Sequence, residues 1–218
     1  FGFPAPIILA LMINEVKNSA FKRTVQTITY MPYFISMVVL CGLLKTFCMQ
    51  DGLFAQIAVL FGGKAQNYLA NPAYFRTIYV LSDIWSGIGW NSIIYLAALS
   101  SIDQEQYEAA RVDGANRFEQ MIHITLPGLV PTIMVLFILR MGNILNVGYE
   151  KILLLYNSAT YSTADVISTY TYRLSFGGSG NPMYSKSTAI GLFNTIINVF
   201  FLILTNMISK KATDAGLF

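Results

Sequence analysis

Seven side chains bring hydrogen-bonding groups into otherwise apolar surroundings: Asp83, Trp90, Asn91, Arg140, Asn143, Asn194 and Asn198. Amides, a carboxylate, a guanidinium and an indole face suit non-covalent recognition of a polyhydroxylated solute. Bond-breaking chemistry finds no comparable set. The chain has one histidine, His123, and two cysteines, Cys41 and Cys48, so the usual clusters of metal ligands cannot be assembled. On a helix the two cysteines would lie about 10.5 Å apart along the axis, beyond the roughly 7 Å that a disulfide tolerates. Gly62-Gly63-Lys64 lacks the spacing of a phosphate-binding loop, and no Gly-x-Ser-x-Gly turn occurs. No catalytic site, metal site or cofactor site of the chain's own is expected.

Helical spacing groups the polar residues. At about 100° per residue, Asp83, Ser86, Gly87, Trp90 and Asn91 fall within an arc of about 140°. Ser187, Gly191, Asn194, Thr195, Asn198 and Thr205 fall within about 100°. Arg140 and Asn143 lie about 60° apart. Three helices with one polar stripe each fit a pathway for a sugar-like solute. The same residues would also serve as polar glue between helices. An arginine in mid-helix costs about 2.5–3.5 kcal/mol on insertion scales. Asp83, Glu150 or an anionic group of the solute could offset that cost, and a salt bridge within the protein is the preferred reading.

The elements that carry these stripes are membrane spans. The chain is 55% hydrophobic and only 11% charged, against about 25% charged in soluble domains. Its net charge of +3 is too small to suggest nucleic acid. Four segments, residues 33–49, 75–99, 127–147 and 188–208, approach the ~20 residues a spanning helix needs. A shorter opening run to about residue 13 reads as a truncated fifth span. The expectation is one all-α domain over residues 1–218, a polytopic transmembrane bundle that lacks its N-terminal span. Lys and Arg are divided seven to five between the two sets of loops. The excess places Lys17, Lys22, Arg23, Arg111, Arg117, Lys210 and Lys211 in the cytoplasm. Residues 50–74 and 148–186 then face outward.

One cytoplasmic segment, residues 103–126, has a design of its own. Asp103 is a helix N-cap with a polar residue three positions on, a capping-box variant. A helix over 104–112 is expected, with the small Ala109 and Ala110 flanked by Glu108 and Arg111. Asp113-Gly114 signals a turn in which glycine takes positive φ. A second, amphipathic helix over 115–124 follows, with Phe118, Met121 and Ile122 on one side. Leu126-Pro127 then opens the next span. Small residues beside charge on a helix allow close approach by another surface.

Glu108-Ala109-Ala110, then Gly114, then Ile124, Leu126 and Pro127 resembles the signature of the membrane subunits of binding-protein-dependent ABC importers. Arg23-Thr24 to Met31-Pro32, Asp83-Ile84-Trp85, the run from Gly89 to Leu99 and Asp165 to Tyr170 are similar to its carbohydrate branch. That branch contains the multiple-sugar and polysaccharide permeases of the lipoprotein type. The resemblance implies the helical fold of MetI-like permeases in a bacterial cytoplasmic membrane. It also implies that Glu108, Ala109, Ala110, Asp113, Gly114, Leu126 and Pro127 form a coupling helix, which sits in a cleft of a cytoplasmic ATPase. The implied partners are a second permease subunit, two ATPase subunits that bind ATP and magnesium, and an extracytoplasmic sugar-binding lipoprotein. Lipid surrounds the chain, and no nucleic acid is involved. An ion-gradient-driven transporter of a polar solute is the alternative, since it needs the stripes but no docking loop. A membrane-embedded enzyme would need clustered acids, bases or metals, which the scattered carboxylates and the lone histidine do not provide.

Overall fold

A computed structural model describes residues 2–177, 181–213 and 216–217. Among the described residues there are α-helices and short 3-10 and π turns but no strand. In lipid this is what the backbone demands, because each N–H and C=O must be satisfied within its own segment. The helices are α1 (Pro4–Glu15), α2 (Ser19–Tyr30), α3 (Met37–Cys48), α4 (Leu53–Leu60), α5 (Pro72–Ser100), α6 (Gln104–Val112), α7 (Arg117–Gln120), α8 (Leu126–Met141), α9 (Tyr149–Leu155), α10 (Tyr161–Ala164), α11 (Ile167–Phe176) and α12 (Tyr184–Thr213).

The sequence punctuates these elements locally. Asn18 caps α2 by accepting from Ala20 and Phe21 N–H. Ser36 caps α3, so the helix starts at Met37 and not at residue 33. The connector expected between the first two spans is therefore mostly helical. The segment 148–186, expected as a long, outward-facing Tyr- and Ser-rich loop, contains α9, α10 and α11. Likewise α4 occupies much of the expected loop 50–74.

Among the described residues, three stretches are long and apolar enough to cross a membrane: Met37–Leu60, Arg117–Met141 and Tyr184–Lys211. At 29 residues α5 has the length, about 43 Å, but its polar stripe reduces its apolarity below theirs. α1 is apolar and 12 residues long. The segment expected over 127–147 stops earlier, since α8 ends at Met141 with Gly142 as its C-cap.

The chain divides into two compact units. One comprises Phe1–Pro32, Trp85–Gly142 and Val199–Phe218. Its core joins Ala10 of α1, Tyr95 and Leu99 of α5 and Leu129 of α8. In this unit α2 and α5 meet backbone to side: Gly89 is buried, and a Cβ added there would overlap the Thr29 carbonyl. Only glycine permits that approach, the membrane use of small residues at helix crossings. The other unit comprises Tyr33–Ile84 and Asn143–Asn198. Its core joins Leu40, Cys41, Leu44 and Cys48 of α3 to Ile152 and Leu155 of α9, with Phe75, Leu69 and Ala164 around them.

Overpacking of this kind costs about 1–3 kcal/mol. Gly89→Val is therefore expected to insert but to melt several degrees lower than the parent in detergent, with α2 the first segment cut by protease. Unchanged melting would show that the α2–α5 approach is loose.

Candidate functional site

The segment between α5 and α8 is a rigid elbow. Asp103 Oδ1 accepts from Glu105 N–H at 3.0 Å and starts α6. The far end of α6 closes by two backbone bonds, Ala115 N to Ala110 O at 2.8 Å and Gly114 N to Arg111 O at 3.1 Å. That pair is the Schellman closure, which requires a left-handed residue between the last turn and the next segment. Gly114 supplies it, with φ of +83°.

The capping box forms one step later than expected. Asn116 Oδ1 accepts from Phe118 and Glu119 N–H, and Glu119 Oε2 accepts from Asn116 N–H at 2.7 Å. Asp103, in contrast, caps without a reciprocal partner. The second helix differs from the expected 115–124 as well. α7 passes into a π-helical turn, Met121–Thr125, and directly into α8. Pro127 accounts for that turn, because its missing N–H and its ring disrupt the i−4 ladder that a regular helix would keep. The elbow and the span thus share one unbroken helical path from Arg117 to Met141.

Two contacts brace the elbow within its unit. Tyr107 Oη of α6 lies 3.0 Å from Thr125 Oγ1, which is buried in the π turn. Arg117 Nη1 lies 3.3 Å from Glu15 Oε2 at the end of α1. Both partners of that pair are solvent-exposed, so it contributes at most about 1 kcal/mol. Glu15, Lys17, Tyr107, Arg111 and Arg117 border a cavity of about 840 Å³ beside the elbow. Glu108, Ala109, Asp113, Gly114, Leu126 and Pro127 are exposed and Ala110 is half-buried. Val112 is 89% exposed, which is costly for an apolar side chain unless another surface covers it.

Each remaining predicted residue has a definite place. Trp90, Asn91 and Arg140 belong to the first unit; Asp83, Asn143, Asn194 and Asn198 belong to the second. Asp83 pairs with Lys151 Nζ at 3.5 Å. Lys151 is 2% exposed, donates to the Tyr79 carbonyl at 3.3 Å and lies 4.8 Å from the Tyr79 ring. Spacing along the chain does not reveal this partner, because Lys151 lies in what reads as a loop. Among the described residues no ion pair involves Arg140, which is exposed near the end of α8.

The asparagines form a relay. Asn194 Nδ2 donates to Asn146 Oδ1 at 3.0 Å, and Asn146 Nδ2 donates to Asn143 Oδ1 at 3.3 Å. Asn198 Oδ1 accepts from Leu145 N–H at 3.3 Å. Asn143 and Asn146 thus act from the turn after α8 and not from the helix itself. Part of the stripe is glue, holding that turn to α12.

Asp165 and Arg173 form a bidentate pair at 2.8 and 2.6 Å. The Arg173 guanidinium holds the Asp165 carboxyl below its ordinary value of 3.8, against a smaller opposing effect of burial and with help from the Thr169 hydroxyl. A depressed carboxylate stabilises the fold fully above that ordinary value and loses its contribution as pH falls through the lowered one. Asp165→Asn is expected to lower thermal stability at neutral pH, by about 1.5–3 kcal/mol for a charge-assisted bond. The gap to the parent should close as pH drops well below 3.8. A gap that stays constant in melting curves across that range would contradict the pairing.

The pattern of the family described as binding-protein-dependent transport system inner membrane component matches residues 2–214. Protein LplB of Bacillus subtilis (strain 168) is 42% identical over all of this chain and 68% of its own length. The polygalacturonan/rhamnogalacturonan transport system permease protein YteP of the same organism is 41% identical over 99% of this chain and 67% of its own. Among solved structures, a chain of a bacterial alginate ABC transporter in complex with an alginate pentasaccharide-bound periplasmic protein is similar, with a TM-score of 0.95 and 46% identity. The match covers 100% of this chain and 75% of that one.

Proposed function

Because this chain belongs to the family of binding-protein-dependent transport system inner membrane components, we propose that it conducts a sugar, an oligosaccharide or a fragment of a polysaccharide into a bacterial cell. It is a membrane-spanning permease subunit, not an enzyme. In this reading ATP hydrolysis belongs to two separate cytoplasmic subunits, a second permease completes the bundle, and an extracytoplasmic lipoprotein delivers the sugar. The cytoplasmic membrane is its location.

The observation that carries the reading is the Schellman-closed elbow running without a break into α8. Glu108, Ala109, Ala110, Asp113 and Gly114 would dock on the ATPase, with Leu126 and Pro127 joining the docked elbow to the span. When the ATPase pair closes on ATP, the elbow moves with it. An α-helix resists bending, so α8 follows and shifts the bundle between inward-open and outward-open arrangements. Asp83, Trp90, Asn91, Arg140, Asn143, Asn194 and Asn198 would border the route. Relatives named for polygalacturonan/rhamnogalacturonan and alginate transport support a carbohydrate cargo.

Gly114→Val separates the two driving forces. A β-branched residue at positive φ is strained by roughly 1–2 kcal/mol or more. The variant is expected to insert normally, yet to lose most sugar uptake and the stimulation of ATP hydrolysis by the loaded binding protein. Gly114→Asn, which tolerates left-handed φ, should retain much of both. Normal uptake by the valine variant, or uptake that survives ATP depletion and collapses with the ion gradient, would replace this reading with a gradient-driven transporter.

A further inference from the structure

We propose that the cleft between α11 and α12 is a subsite for one uncharged sugar ring, an inference that rests on the sugar-import reading above. The cleft holds about 290 Å³, at the lower end of the range for ligand pockets. That is room for a single ring and not for an oligosaccharide.

One wall is a row of aromatic rings. Tyr149 and Tyr172 stand 6.3 Å apart between centroids and are tilted by 33°; Tyr172 and Phe176 stand 5.4 Å apart at 42°. All three rings are exposed. The electron-rich face of such a ring accepts the polarised C–H groups on one side of a sugar. Ser168 and Thr171 of α11 line the same cleft and supply hydroxyls. The Thr171 hydroxyl donates to the Ile167 carbonyl at 2.7 Å, so its lone pairs point to a sugar O–H donor.

The opposite wall is α12 at Gly191 and Asn194. The Asn194 carboxamide oxygen is buried and makes no hydrogen bond. The relay distinguishes the two ends of this carboxamide: Asn146 spends its amide nitrogen on Asn143, so its oxygen accepts from the Asn194 nitrogen. A hydroxyl donor in the cleft would satisfy the orphaned oxygen after a modest turn of the side chain. Gly191 leaves the floor open, since a Cβ added there meets nothing within 4 Å.

Two observations fix the class of occupant. Gly191 and Asn194 lie on the polar stripe of α12, about 150° around the helix from the exposed apolar face of Leu192, Phe193, Ile196 and Phe200. An acyl chain belongs on that apolar face, not on the stripe. Among the described residues, no charged side chain lines the cleft. Arg173, on the same helix as Tyr172, is turned to Asp165 and to the rings of Tyr161 and Tyr170. A uronate carboxylate would find no cation here, whereas a neutral ring would leave nothing unpaired.

The test uses Gly191→Cys in the complete importer reconstituted in proteoliposomes, with the rate of maleimide labelling as the readout. Cys41 and Cys48 are buried and contribute no background, and Gly42→Cys, another glycine with open space, is the control. Probes are neutral galacto-, manno- and arabino-oligosaccharides and a galacturonan oligosaccharide. At saturation, an imported neutral probe is expected to slow labelling at position 191 by about an order of magnitude, to leave position 42 unchanged, and to lose its effect when Tyr172→Ala is added. Ser168→Cys repeats the measurement from the other wall should the glycine variant fail to assemble. Absence of protection in an importer that still takes up sugar overturns the subsite and leaves the import reading intact. Protection by the uronate alone overturns the neutral-ring assignment. An importer whose uptake and ATP hydrolysis respond to no sugar overturns both.

Discussion

Backbone polarity in lipid is the constraint from which the rest of this structure follows. Where a helix stops in apolar surroundings, its end groups have no water to turn to and must find side chains. α8 stops at Gly142, and the turn beyond it is met by Asn198, which accepts from Leu145 N–H. Asn194 reaches the same turn through Asn146. The polar stripe of α12 is thereby committed to two tasks, holding a helix end and leaving one carboxamide oxygen unspent. Polar atoms are expensive in such a protein, and the unpaired one is where the proposed sugar ring would supply a donor.

The same economy shapes the elbow over residues 103–126. Its backbone is closed by Gly114 at positive φ and recapped by Asn116 and Glu119, so capped helix leads from α6 towards α8. Pro127 would break a regular helix, but a π turn absorbs it and keeps the path continuous. On the coupling reading proposed above, the exposed apolar side chains of Val112 and Phe118 are what the ATPase grips. The ion pair from Arg117 to Glu15 is too exposed to lock the elbow, which suits a part that has to move.

Most of the elbow was legible in the sequence because its signals are local. Asp103, the α6 boundaries and the turn at Gly114 follow from capping and turn chemistry within a few residues. The shift of the capping box to Asn116 was legible too, since Asn116 and Glu119 have the required spacing. Spans were visible as apolar runs, and the short helices α9, α10 and α11 were not, because Tyr- and Ser-rich sequence carries no strong period. Partner choice was the least legible. Arg140 and Asp83 look complementary along the chain, yet Lys151 takes the carboxylate through a fold-dependent encounter that no spacing reveals. The glue role of Asn143 depended likewise on where α8 ends, a boundary set by Gly142 and the tertiary turn after it.

Force transmission through the elbow is tested most directly by a photo-crosslinking side chain at Val112, which is 89% exposed, in cells that assemble the whole importer. Capture of an ATP-hydrolysing protein, lost when that protein is deleted and altered in yield when ATP turnover is trapped, is the expected result. Capture of lipid or membrane partners alone, in cells that still import sugar, would contradict the coupling role of residues 103–126.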